Sequence, residues 1–274
     1  MIALSQVKHR IQFVTLSMVL SVLPLLVQAQ FMVQSAVPTD ARDFTIDELG
    51  NLYFIHDTYI ERIHAVGGHT VRTSDLNYGN IDYVDVTNPL KPFVHYRGTG
   101  KVIVFDNTLS RMGTSIDLFE KGWEQVELVA GSRGDAYWFW DVRNSEMIRV
   151  DNTLRKLSST GNLGTLLNKS LHPVQIIERG SFVYLRDEVY GLFVFDIYGT
   201  YKTNLAIRVD GDIQVVNDEI IYTTGNELVV MDKTWLTETR YTLPSVTASK
   251  TFFYGKKLYT LSDNKLQTWV WEEK

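Results

Sequence analysis

Val102-Ile103-Val104-Phe105-Asp106-Asn107-Thr108-Leu109 is answered 45 residues later by Met147-Ile148-Arg149-Val150-Asp151-Asn152-Thr153-Leu154. Both are apolar runs that end in Asp-Asn-Thr-Leu. Phe193-Val194-Phe195-Asp196-Ile197-Tyr198-Gly199 follows after another 45 residues, and Val229-Val230-Met231-Asp232-Lys233-Thr234 after 36 more. A strand ending in Asp that returns about every 40 residues has the period of a β-propeller blade. The Asp itself reads as turn structure. Asp and Asn at a tight turn bond the backbone two residues on, and these positions are spread around the ring, so they do not converge on one ligand.

Between the repeats lie short runs rich in Val, Ile, Phe, Tyr and Trp, punctuated by Gly, Asn and Asp. Ala136–Trp140, Val102–Phe105 and Leu192–Phe195 are apolar without alternation, as strands buried on both faces must be. Six units result: Arg42–Gly79, Asn80–Leu118, Glu124–Leu163, Pro173–Ile207, Asp212–Leu243, and a sixth from Ala248 with three strands. Phe31–Val37 is a strand-like segment left over at the front. It is expected to pair with the last blade and close the ring, removing two open edges. The expected fold is therefore an all-β six-bladed propeller closed by its N-terminal strand, with residues 30–274 as one domain.

Residues 1–29 read as a secretory signal peptide. Lys8, His9 and Arg10 precede an apolar stretch from Ile11 to Val27, and Val27-Gln28-Ala29 offers small residues for cleavage. Thr15, Ser17, Ser21 and Pro24 weaken the alternative of a retained anchor. The chain has no Cys, which excludes disulfides, thiolate metal sites, a Cys nucleophile and a lipoprotein anchor. Without residues 1–29, which hold Lys8 and Arg10 and no acid, 25 basic and 32 acidic side chains remain, a net charge of −7. Nothing in that balance marks a nucleic-acid surface. The expected setting is export to the periplasm or exterior, with no membrane span after cleavage.

Val84-Asp85-Val86-Thr87-Asn88-Pro89-Leu90-Lys91-Pro92, followed by Val102–Leu109, resembles stretches of secreted propellers of the Bacteroidetes type, many of which carry a Val-Asp-x-Thr/Ser-Asn-Pro element. Phe44–Tyr53 is similar to a blade of NHL-type six-bladed propellers. The resemblance implies a fold and a bacterial envelope setting. Neither family has one defined activity, so no catalytic residue carries over.

The familiar nucleophile, zinc, phosphate and dinucleotide motifs are missing. His56 and His64 stand on adjacent strands. With the hairpin turning at Asp57–Tyr59, His56 faces Ile60, His64 faces Leu52, and the rings lie about 13 Å apart at ~3.3 Å per residue, too far for one metal. Each innermost strand begins with a polar residue: Asp43, Asp82, Glu127, Gln175, Gln214 and Lys250. As equivalent positions they form a ring at one mouth of the channel. Such a ring either simply lines a wet channel or holds a hard cation or polyol through oxygen. By fold analogy, sugar lactonases on six-bladed propellers use acidic channel residues with a divalent metal, and calcium or a similar ion enters only under that alternative. Trp138 with Trp140, and Trp269 with Trp271, share strand faces. They either fill the wedges between blades or stack on sugars. The main expectation is a non-catalytic scaffold with no cofactor, docking a protein partner in the envelope. A lactonase-type hydrolase and a carbohydrate-binding module are the alternatives.

Overall fold

The computed structural model describes residues 30–74, 76–244 and 248–272. The expected signal peptide, residues 1–29, lies outside them. Six four-stranded antiparallel sheets form the ring. Blade 1 comprises Asp43–Ile46, Leu52–Ile55, Tyr59–Ile63 and Thr70–Ser74. Blade 2 comprises Tyr83–Asp85, Phe93–Tyr96, Lys101–Val104 and the two-residue strand Ile116–Asp117. Blades 3 and 4 start with Val126–Ser132 and Pro173–Arg179, and blade 5 with Gln214–Val216. Blade 6 runs from Lys250–Tyr254 through Lys257–Ser262 and Lys265–Glu272 to an outer strand, Gln30–Pro38, from the other end of the chain. That outer strand pairs Phe31 with Trp271 and Val37 with Leu266, so the front of the chain closes the ring.

The Asp-ended strands turn as their sequence dictates. The Asp106 carboxylate accepts from the Thr108 amide at 2.7 Å, Asp151 from Thr153 at 2.9 Å, Asp196 from Tyr198 at 2.9 Å and Asp232 from Thr234 at 2.8 Å. Leu109 and Leu154 then take left-handed backbone, at φ 58° and 64°. A Leu in that region is costly. Here both side chains are buried between blades, which offsets the cost and explains why Asp-Asn-Thr-Leu repeats intact.

Six apolar clusters fill the six wedges between neighbouring blades. Trp138 and Trp140 are wholly buried between blades 3 and 4 with Phe193 and Phe195. Trp271 packs edge-on to Tyr241 at 4.1 Å, and Trp269 donates to the Thr260 hydroxyl at 2.9 Å. Trp138 and Trp140 therefore fill a wedge between blades and offer no sugar platform. One register differs from expectation. Ile55 faces Ile60 and Leu52 faces Ile63, because the His56 amide bonds the Tyr59 carbonyl and leaves only Asp57 and Thr58 in the loop. His56 therefore stacks on Tyr59, and His64 stacks on His69.

The antiparallel order gives the disc two distinct faces. One carries the turns between first and second strands and between third and fourth strands. It is termed the turn face here. The other, the link face, carries the remaining turns and the connections between blades.

Candidate functional site

The innermost strands all start at the link face, and the six polar positions lie at or within two residues of those starts. The structure divides them into three uses. Lys250 lies 3.3 Å from Asp43 and also bonds Asp212. Burial opposes its charge, yet Asp212 and Asp43 outweigh burial and hold its ammonium above the ordinary lysine range. Asp212, the first residue of the fifth sequence unit, is not one of the six strand-start positions. Arg186, on the second strand of blade 4, approaches Asp212 at 4.0 Å. Two cations and two carboxylates thus neutralise one another across three blade boundaries.

Gln175 and Gln214 are clamps. The Gln175 amide donates to the Ile213 carbonyl at 3.1 Å and accepts from the Ile213 amide at 2.9 Å. Gln214 does the same to Phe253, at 2.9 and 2.8 Å. Each clamp ties an innermost strand to the next blade, where no sheet hydrogen bonds run.

Asp82 and Glu127, with the wall of Gln175, border a small cavity of about 140 Å³ between blades 2, 3 and 4. Asp82 is answered by Arg97, through its backbone amide at 2.8 Å and its guanidinium at 3.4 Å. Glu127 is exposed and has no hydrogen bond or ion pair among the described residues. His95 lines the cavity and is only 1% exposed. Burial, helped by Arg97 and opposed by Asp82, pushes its imidazole down to about 4. Its Nε2 is buried without a partner.

A second, larger cleft of about 700 Å³ opens on the turn face. Its floor includes Phe93, Val104 and Tyr137, and Lys91 bridges to Asp135 at its rim at 2.6 Å. Two buried carboxylates brace it. Asp85 accepts from the Gly131 amide at 2.8 Å and the Thr87 amide at 2.8 Å. Glu178 accepts from Ser132, Arg133 and Trp138. Burial works against the Glu178 charge, and these donors overcome it and hold its pKa low. On the same face Arg179 of blade 4 reaches Glu48 of blade 1 at 2.7 Å, across the channel mouth. Sequence reading missed this cleft, because its walls come from three successive blades and meet only when those blades pack.

Among the described residues, no three His, Asp or Glu side chains are arranged to hold a metal, and no helix is long and apolar enough to cross a membrane.

No protein-family model matches the chain, and no curated protein matches it in sequence. In three dimensions it is similar to a streptogramin B lyase, at 14% identity and a TM-score of 0.60, over 89% of this chain and 97% of that one. It is similar to BamB from Moraxella catarrhalis at 9% identity and a TM-score of 0.55, over 90% of this chain and 99% of that one. It is also similar to the extracellular domain of a one-component system from B. thetaiotaomicron, at 9% identity and a TM-score of 0.52, over 90% of this chain and 43% of that one. At these identities the likeness is one of fold, a six-bladed β-propeller.

Proposed function

We propose that the protein is a non-catalytic docking protein of the bacterial cell envelope that presents its turn face to a protein partner. The supporting observation is an asymmetry of exposed apolar side chains. Turn tips on that face carry Trp235 at 78% exposure, Val66 at 86% and Tyr198 at 69%, and Leu49, Leu90 and Leu236 on turns of the same face are exposed as well. The link face carries fewer: Phe119, Val142, Leu166 and Val189. Large apolar groups held out at rigid turns, aromatic ones above all, are a feature of surfaces that are covered in the working state. The Trp235 amide is bonded to the Asp232 carboxylate at 2.7 Å, so the turn that displays the indole is preformed. A preformed display lowers the ordering cost of binding.

The envelope setting rests on the basic start and apolar stretch of residues 8–27, and the likeness to an extracellular domain accords with it. The hydrolase alternative needs carboxylates gathered on a metal. Lys250 bonds both Asp43 and Asp212 and so already occupies the carboxylates of that channel mouth.

Photo-crosslinkers placed at Trp235 and Tyr198, and at Val189 and Leu166 on the link face, test the reading in native envelopes. One discrete product from the turn-face positions alone is expected, and it is expected to disappear when Leu49 and Leu90 are changed to Asp. Products from the link face alone, or none from either, would overturn the assignment of the docking face.

A further inference from the structure

The small link-face cavity has features that docking on the turn face leaves unexplained. Its lining carries two carboxylates, Asp82 and Glu127, and one guanidinium, Arg97. Arg97 is committed to Asp82. One negative charge, on Glu127, is therefore left without a counter-ion among the described residues. Beside it sits His95, whose buried Nε2 has no hydrogen-bond partner. A buried polar atom left unsatisfied normally costs about 1–3 kcal/mol, so a donor reaching the His95 ring would relieve a cost. The lining also includes the apolar Leu128, Val129, Val174 and Ile176.

We propose that this cavity binds the alkylammonium head of a primary amine. The ammonium donates to the Glu127 carboxylate and to a neutral His95 ring nitrogen, while its methylenes lie along Val174 and Ile176. The charge balance repels anions. A volume of about 140 Å³ admits more than a single water but is below the roughly 300 Å³ at which drug-sized ligand pockets begin. It fits a chain of a few carbons ending in a charge. A divalent cation is the poorer occupant, since hard cations want six or more oxygen ligands and Arg97 already holds Asp82. Imidazole neutrality at pH 7 follows from burial of His95, which leaves a ring nitrogen able to accept. Free small amines and a lysine side chain of another protein share this chemistry. The inference does not depend on the turn-face reading.

Heteronuclear NMR of the full chain at pH 7 tests it, with n-butylamine as probe and n-butanol and butyrate as controls. The ring signal of His95, assigned by its loss in His95→Gln, is expected to shift saturably with butylamine and not with either control. Glu127→Gln, a surface change that leaves the fold intact by melting temperature, is expected to weaken butylamine binding at least tenfold. Nα-acetyl-lysine amide, added in parallel, assigns the source: tighter binding than butylamine points to a lysine of a partner, equal or weaker binding to a free amine. No shift of His95, an equal shift with butanol, or undiminished binding in Glu127→Gln would overturn the proposal.

Discussion

Lys250 of blade 6 places its ammonium 3.3 Å from the carboxylate of Asp43 in blade 1, 207 residues earlier in the chain. It also bonds Asp212 at the start of blade 5, so one side chain fastens three blades at the channel mouth. The ammonium occupies the position a cation would need, and it satisfies the carboxylates that would hold one.

Protein purified without chelator is therefore expected to carry less than about 0.2 equivalents of divalent metal by elemental analysis, since a weak site empties on purification. Lys250→Met is expected to lower stability by about 1–3 kcal/mol. That is less than the ~3–5 kcal/mol of a fully buried pair, because the Asp43 and Asp212 side chains keep 35% and 36% exposure. Calcium is expected to restore part of the melting temperature of the variant and to leave the parent unchanged. Stoichiometric calcium in the parent protein would instead favour the lactonase-type reading.

The glutamine clamps give a second stability test. Gln175→Ala removes both partners of the Ile213 peptide group, and Ile213 is itself buried. Gln214→Ala does the same to Phe253. Each change is expected to cost about 1–3 kcal/mol in urea denaturation, the range for leaving buried donors and acceptors unpaired. An unchanged midpoint for both variants would mean that water replaces the amides at no cost and that the clamps do not fasten the blades.

His95 sets a pH dependence whose sign is fixed. Its folded pKa is near 4 against an ordinary 6.5, with burial as the leading cause. Between these values the unfolded chain binds a proton that the folded chain refuses. The His95 contribution is thus fully present above pH 6.5 and is lost as pH falls toward 4, by at most about 3 kcal/mol. The gap in stability between pH 7 and pH 4.5 is expected to be smaller in His95→Gln than in the parent, measured by denaturant melts at both pH values. An equal gap in the two proteins would place the His95 pKa near 6.5 and contradict the burial argument.

Much of this fold was legible because a blade is a local object. Asp106, Asp151, Asp196 and Asp232 bond amides two residues on, so their role is written within four residues of sequence. The apolar runs Ala136–Trp140 and Leu192–Phe195 fell inside the strands Ala136–Asp141 and Gly191–Asp196. The six polar positions were legible as residues near the innermost-strand starts, which topology puts on one face. What each member does was not legible. Lys250, Gln175 and Gln214 act on residues 38 or more positions away, in other blades. Arg186 and Asp212 entered the cluster with no periodic signature, and the Arg179–Glu48 pair joins turns of blades that are not neighbours in the ring. Such contacts depend on ring closure and blade twist, which a strand-by-strand reading does not contain. The His56 register slipped by one for a simpler reason: a two-residue loop and a three-residue loop fit the same residues, and the His56–Tyr59 backbone bond selects the shorter.

Closure itself makes the last prediction. Gln30–Pro38 supplies the outer strand of blade 6 and pairs along nearly its whole length with Lys265–Glu272, with one irregularity between Val33 and Ser35. Phe31 packs at 6.2 Å from Trp271, which also meets Tyr241 of blade 5 and Phe253 of the innermost strand. Deleting residues 30–38 therefore uncovers the edge of Lys265–Glu272 and thins the wedge between blades 5 and 6. Burying one large side chain is worth ~1.5–3 kcal/mol, so losing Phe31 and loosening Trp271 are expected to lower stability by several kcal/mol. The bared strand edge is a template for pairing with a second chain, so the shortened protein is expected to aggregate as well. A thermal melt with light scattering compares chains beginning at residue 30 and at residue 39. An unchanged midpoint with the shorter chain monomeric would mean that the front strand is an ornament on a ring already closed by the wedges, and that blade 6 is complete with three strands.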